Sequence, residues 1–260
     1  MRIARFEHQG QLHYGIVDDD GDGEAELVKL FGDPIVGVIE PLDERVPLAE
    51  ARLLAPVIPR SKVVAFGRNY AEHARELGNE VPDAPMMFLK PNTSVIGPDH
   101  PIVLPRQSQH VEHEVELAVV IGKVARNVPA SDADDVIFGY TVANDVTARD
   151  LQASDGQWGR AKGFDSFCPI GPWIETEFDP SSGVIGAKVN GETRQLGDLD
   201  RMERTVARLV EFASSVFTLL PGDVLLTGTP AGVGPLVAGD EVVCAIEGIG
   251  ALANPVVAAP

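Results

Sequence analysis

The sequence predicts a mainly β, α+β protein, with a small β-rich unit at the N-terminus and a larger domain over residues 62–260. Two observations carry this. Most apolar runs are short, rich in Val and Ile, and bounded by Gly or Pro, which is the composition of strands. Only one long segment has helical periodicity, so strands do not alternate with long helices as a doubly wound fold requires.

Residues 1–55 contain the strand-like pieces Ile3-Ala-Arg-Phe and Leu12-His-Tyr-Gly-Ile-Val, with an acidic turn predicted over Asp18-Asp-Asp-Gly-Asp-Gly. The stretch Pro56-Val-Ile-Pro-Arg-Ser reads as a linker, because its prolines oppose helix and disfavour a central strand. Strands are then expected at Val63-Val-Ala-Phe-Gly, Leu117-Ala-Val-Val-Ile-Gly, Val224-Leu-Leu-Thr-Gly and Glu241-Val-Val-Cys-Ala-Ile-Glu-Gly. A short helix is expected from Asn69 to Gly78. Another is expected after Ser131, with Asp134 in capping-box position and Gly139 at its end. The longest helix is expected between Asp200 and Pro221, where Met202, Val206, Leu209, Val210, Ala213 and Phe217 recur at helical spacing.

A chain of 260 residues, 44% hydrophobic, can bury one substantial core and a smaller satellite. With 21 Lys and Arg against 39 Asp and Glu, the net charge of −18 repels phosphate backbones and argues against nucleic-acid binding. An anionic substrate would then need a local positive centre, a metal or a few placed cations. Cys168 and Cys244 form no Cys-x-x-Cys pair, so neither a disulfide framework nor a thiolate zinc cluster is indicated. No apolar run reaches the length of about 18 residues needed to span a bilayer, and the first residues lack the apolar core of a secretory signal. The expected location is the cytoplasm, with no membrane partner.

In Glu112-His-Glu-Val-Glu-Leu the residues alternate, so on a strand Glu112, Glu114 and Glu116 share one face. Same-face neighbours lie roughly 7 Å apart, within reach of one ion. Like charges so close repel unless something cationic compensates them, although an exposed acidic face would show the same alternation. Asp145 ends the apolar run Tyr140-Thr-Val-Ala and adds a further carboxylate at a strand end. Carboxylates without cysteine describe an oxygen-only site suited to Mg²⁺ or Mn²⁺. His110 and His113 would face opposite sides of a strand, so a structural or exposed role is expected for both.

Together, Gly67-Arg-Asn-Tyr, Phe88-Leu-Lys-Pro, Glu114-Val-Glu-Leu, Asn144-Asp-Val-Thr-Ala-Arg-Asp-Leu-Gln, Lys162-Gly-Phe-Asp and Leu226-Thr-Gly-Thr-Pro-Ala-Gly-Val-Gly resemble the fumarylacetoacetate hydrolase family in order and spacing. The resemblance implies a rolled mixed β-sheet fold, a homodimer, and a metal triad of Glu114, Glu116 and Asp145, leaving Glu112 outside it. It also implies a base-and-orienter pair in His73 and Glu76, spaced i, i+3 on a lid helix, and an active-site lysine at Lys162. Gln152 and Thr229 fall on substrate-contacting positions, and Arg68 and Lys90 are candidates for the substrate's far carboxylate. The glycine loop after Leu226 permits close backbone approach but lacks the context of a dinucleotide fingerprint.

The implied activity is on small 2-oxo or enol acids through a metal-stabilised enolate, which serves C–C cleavage, decarboxylation and ketonisation alike. The leading expectations are a 2-hydroxyhepta-2,4-diene-1,7-dioate isomerase or decarboxylase, or an acylpyruvate hydrolase. Oxaloacetate decarboxylation is the alternative, and a non-catalytic metal-binding protein on the same fold is the reading from another class.

Overall fold

A computed structural model describes residues 1–19 and 24–260. The N-terminal segment forms β1 (Arg2–His8), β2 (Gln11–Asp18), β3 (Glu26–Leu30), β4 (Pro41–Pro47) and β5 (Arg52–Leu54). After the linker come β6 (Val63–Gly67), α1 (Ala71–Glu76), β7 (Met86–Lys90), β8 (Val95–Ile96) and β9 (Ile102–Leu104). The next stretch holds β10 (Val111–His113), β11 (Val115–Ile121), β12 (Ile137–Asn144), β13 (Thr147–Ala148), α2 (Arg149–Asp155) and α3 (Gly159–Gly163). The chain ends with β14 (Cys168–Glu175), β15 (Val184–Val189), β16 (Glu192–Asp198), α4 (Val206–Val216), β17 (Val224–Leu226), β18 (Gly234–Pro235), β19 (Glu241–Ile246) and β20 (Gly250–Ala258). The predicted mainly β architecture is what the chain adopts. Of the predicted acidic turn, residues 20–23 lie outside the described residues.

One large sheet runs in the order β4-β3-β2-β1-β14-β12-β11-β17-β6-β7. The N-terminal strands therefore continue it: Arg2 and Ile3 of β1 pair with Glu175 and Ile174 of β14. A five-stranded sheet, β16-β15-β19-β20-β9, and a three-stranded one, β13-β10-β18, complete the layers. Strand β11 explains the near-continuous apolar run from Leu117, because it is buried on both faces. Its Leu117, Val119 and Ile121 pack in one cluster with Ile185, Ile246, Leu209 and Val210. Its Ala118 and Val120 pack in another with Val63, Ala65, Ile170 and Ile174.

Three local expectations are corrected. The segment after Ser131 is a 3₁₀ turn over Ala130–Val136 with no side-chain cap, and Gly139 lies inside β12. Glycine is needed there because a Cβ would meet Ile174 Cγ2 at 2.6 Å and the Glu175 carbonyl at 2.7 Å across the sheet. The long helix starts at Val206 rather than near Asp200, since Met202 is drawn into a bridge with Tyr70. The glutamate segment is not one unbroken strand either: β10 and β11 are separated at Glu114. Among the described residues, no helix is long and apolar enough to cross a membrane.

Candidate metal and acid–base site

The break at Glu114 builds the site. β11 pairs with β12 up to Val115 and Asn144, after which both strands leave the large sheet and pair again as β10 with β13. Between the two ladders sit Glu114 and Asp145, at the point where backbone groups lose their regular partners. Those groups are satisfied individually. The Asp145 N–H donates to the Glu114 carbonyl at 2.8 Å, Asn144 Oδ1 accepts from the Glu114 N–H at 2.9 Å, and Gln195 Oε1 accepts from the Val115 N–H at 3.0 Å. Glu116 follows on the same face of β11, and its Oε2 accepts the Gly228 N–H at 2.6 Å. Gly228 has φ +101°, and a Cβ there would lie 2.8 Å from Asn69 Cβ, so only glycine brings that amide to the carboxylate unstrained.

Glu114, Glu116 and Asp145 are all buried and each offers an oxygen within 4.8 Å of the others. Lys162 Nζ bridges two of them, at 2.7 Å from Glu114 Oε2 and 2.6 Å from Asp145 Oδ2. Lys90 Nζ holds Asp145 Oδ1 at 2.5 Å. Arg149 lies 2.5 Å from Glu114 Oε1 and 2.7 Å from Glu112 Oε2, so Glu112 stands outside the triad as the partner that steadies this arginine. Burial opposes the ionised form of Glu114, yet Lys162 and Arg149 hold its carboxyl well below the usual range. Glu116 has no cation of its own. Burial first, then the charges of Asp145 and Glu114, push its carboxyl well above the usual range.

Lys90, Arg149 and Lys162 thus pair with Glu112, Glu114 and Asp145, and ionising the fourth buried carboxyl, Glu116, would leave one negative charge without compensation. An oxygen-only donor set with uncompensated negative charge fits a hard divalent cation such as Mg²⁺ or Mn²⁺.

The triad opens into a narrow cavity of about 60 Å³ also lined by Arg68, His73, Arg149, Gln152, Trp158, Lys162 and Thr229. His73 Nδ1 lies 3.2 Å from Glu76 Oε2 on α1. Glu76 is fixed from the other side by the Gly232 N–H, at 3.0 Å from its Oε1. One glycine loop therefore donates to both Glu116 and Glu76. Gln152 Oε1 accepts from Arg149 at 2.7 Å, and Thr229 Oγ1 accepts from Gln195 Nε2 at 2.7 Å.

Lys90 does not line the cavity, which corrects its reading as a ligand for a substrate carboxylate: it is buried behind Asp145. His113 is buried with Nδ1 2.9 Å from Gln195 Oε1, and His110 pairs with Glu112, so neither touches the triad's cavity. Arg149, Asn144, Gln195 and Trp158 were not singled out in the sequence. Arg149 and Asn144 lie in the motif that contains Asp145, so proximity to it was the available signal; Gln195 comes from a distant strand and carried none.

The fumarylacetoacetate (FAA) hydrolase C-terminal family model matches residues 62–257, and an Rv2993c-like N-terminal model matches residues 1–56. Protein Rv2993c of Mycobacterium tuberculosis is 54% identical, over 99% of this chain and 98% of its own length. Oxaloacetate tautomerase Fahd2a, mitochondrial, of Rattus norvegicus is 43% identical, over 99% of this chain and 92% of its own. A crystal structure of 5-carboxymethyl-2-hydroxymuconate delta-isomerase from Mycobacterium smegmatis is 48% identical, covers both chains in full and superposes with a TM-score of 0.92.

Proposed function

The chain belongs to the fumarylacetoacetate hydrolase family of enzymes, and from that premise we propose that it moves protons on a small 2-oxo or enol carboxylic acid with the help of one divalent cation. The observation that carries this is the convergence of the Glu114, Glu116 and Asp145 oxygens with the His73–Glu76 pair on one cavity. Mg²⁺ or Mn²⁺ held by the triad would supply Lewis-acid stabilisation of negative charge on a 2-oxo oxygen.

The chain's own residues supply the rest. With Nδ1–H donated to Glu76, the imidazole of His73 keeps Nε2 as the acceptor for a proton from the carbon next to the 2-oxo group. Glu76 fixes that tautomer, and the Gly232 amide fixes Glu76. Lys162 brings a buried positive charge to the side of the cavity where enolate charge develops: burial opposes that charge, but Asp145 and Glu114 keep the lysine protonated. Gln152 and Thr229 present hydrogen-bonding groups to the bound acid.

Isomerisation of a hydroxymuconate and tautomerisation of oxaloacetate, the activities in the relatives' names, share a proton shift through an enol. That common step favours ketonisation or isomerisation, including of 2-hydroxyhepta-2,4-diene-1,7-dioate, as the core activity. Acylpyruvate hydrolysis is a second reading, supported by the oriented His73, which could equally take a proton from water; oxaloacetate decarboxylation uses the same enolate.

The test separates metal from proton transfer. Asp145→Ala should abolish Mn²⁺ binding in calorimetry. His73→Ala should keep Mn²⁺ binding while turnover falls by about 100-fold or more. Unchanged turnover by His73→Ala would remove it from the mechanism, and tight Mn²⁺ binding by wild type with no turnover of any 2-oxo acid would favour a non-catalytic metal-binding protein.

A further inference from the structure

On strand β16 the burial pattern is inverted. Its one buried residue is Gln195, while the neighbouring Leu196 is exposed. A bulge allows this: Ala187 of β15 pairs with Gln195 and Lys188 with Thr193, so Thr193 and Arg194 both stay outside and Gln195 faces inward beside Ala187. The glycine loop after β17 lies directly on this bend, since a Cβ at Gly197 would come within 2.8 Å of Pro230 Cβ. A buried glutamine costs stability unless its amide is paired, and this amide makes four hydrogen bonds.

Each end of the amide is fixed by a backbone group that cannot reverse its role. Gln195 Oε1 accepts the Val115 N–H at 3.0 Å, and Gln195 Nε2 donates to the Pro230 carbonyl at 2.7 Å. The other two bonds then have one reading each. The His113 ring, 2.9 Å from Oε1, donates through Nδ1. Among the described residues its Nε2 has no partner, so the run of bonds ends there. At the other end, the Thr229 hydroxyl, 2.7 Å from Nε2, accepts. Thr229 is buried on the wall of the triad's cavity. With a lone pair committed to Gln195, its own proton is free to point into that cavity.

We infer that Gln195, which does not line the cavity, is a positioning residue that sets the Thr229 hydroxyl as a hydrogen-bond donor to the acid bound there. This rests on the enol chemistry proposed above. Without the amide the hydroxyl could give its proton to an acceptor of the protein and turn a lone pair toward the ligand. A proton aimed at an anionic oxygen makes a charge-assisted bond, whereas a lone pair aimed at it repels. Strand β16 thereby acts on the site through one side chain, and the bulge at Arg194 is what brings that side chain in.

The experiment uses oxalate, whose adjacent carboxylates mimic an enolate beside a carboxylate, titrated calorimetrically into protein saturated with Mg²⁺. Thr229→Val should weaken oxalate binding by about tenfold, and Thr229→Ser, which keeps the hydroxyl, by no more than about threefold. Gln195→Met should weaken it by about fivefold in the wild-type background but by less than about twofold in the Thr229→Val background. A loss by the same factor in both backgrounds would make Gln195 merely structural and overturn the inference, as would a Thr229→Val protein that binds oxalate within about twofold of wild type. Wild type supplies an independent reading should Gln195→Met fail to fold. Nitrogen NMR of the His113 ring should find a proton on Nδ1, and a bare Nδ1 would require the amide to be reversed and would overturn the inference alone. Wild type that binds Mg²⁺ but neither binds oxalate nor turns over a 2-oxo acid would sink the enol chemistry and the inference with it.

Discussion

At the scale of single residues, the site is a charge problem centred on Glu116. Burial and the neighbouring carboxylates raise its pKa, so the stability of the metal-free fold that depends on its protonated form is present below the ordinary carboxylate range. It is lost as pH rises through the raised value. Glu114 has the opposite sign: Lys162 and Arg149 lower its pKa against the effect of burial, so its contribution is present above the ordinary range and is lost as pH falls. Glu116→Gln keeps an oxygen for the Gly228 amide and removes the charge. In metal-free protein it should raise Tm near neutral pH by a few degrees, corresponding to about 1–2 kcal/mol, while the Tm increase on adding Mn²⁺ disappears. Thermal scans from about pH 5 to about pH 9 check this, and a lower Tm for the variant at neutral pH would contradict it. Strand alternation and a strand end brought Glu112, Glu114, Glu116 and Asp145 forward as candidate ligands, but it was the family resemblance that set Glu112 aside, and alternation did not foresee the break between the two strands at Glu114. Arg149 and Gln195 were not legible in the sequence, because their roles arise from contacts such as Gln195 with Val115, 80 residues away in the chain.

At the scale of elements, the loop after β17 couples the two chemistries, since Gly228 donates to Glu116 and Gly232 to Glu76. Gly228→Ala places a Cβ against Asn69 at φ +101°, which should cost about 2 kcal/mol or more. Because the Gly228 amide also positions the Glu116 carboxyl, metal affinity should fall with stability, measured by Mn²⁺ calorimetry and urea unfolding. A variant with wild-type affinity and stability would show that the loop is not the support described here. The strands β6, β11, β17 and β19 were readable from Val- and Ile-rich runs between glycines. The helices were less so. Helical spacing from Met202 continued past the true start of α4, because cross-strand pairing with Tyr70 took Met202 instead. A capping-box pattern after Ser131 lost to the demands of β12, which must begin at Ile137 to pair with β11.

At the scale of the whole molecule, the site lies where β10–β13 and β11–β12 exchange sheets, so the topology and the constellation are one feature. Sheet order was not legible, since β1 and β14, or β17 and β6, are paired across more than 150 residues. The β-rich character of the first 55 residues was legible; that they extend the large sheet through β1 was not. The net charge of −18 disfavours polyanions over most of the surface, and the positive groups gathered in one cavity, Arg68, Arg149 and Lys162, are what the proposed anionic substrate would need there. The homodimer expected from the family remains a proposal for sedimentation analysis. The central claim is that turnover of a small 2-oxo acid requires a divalent cation at the carboxylate triad. The most direct measurement is turnover of enol-oxaloacetate, acetylpyruvate and a diene dioate by metal-stripped protein, before and after addition of Mg²⁺ or Mn²⁺. Activity on at least one of them that is absent without metal and restored by it is the expected result; undiminished activity in the stripped protein would contradict it.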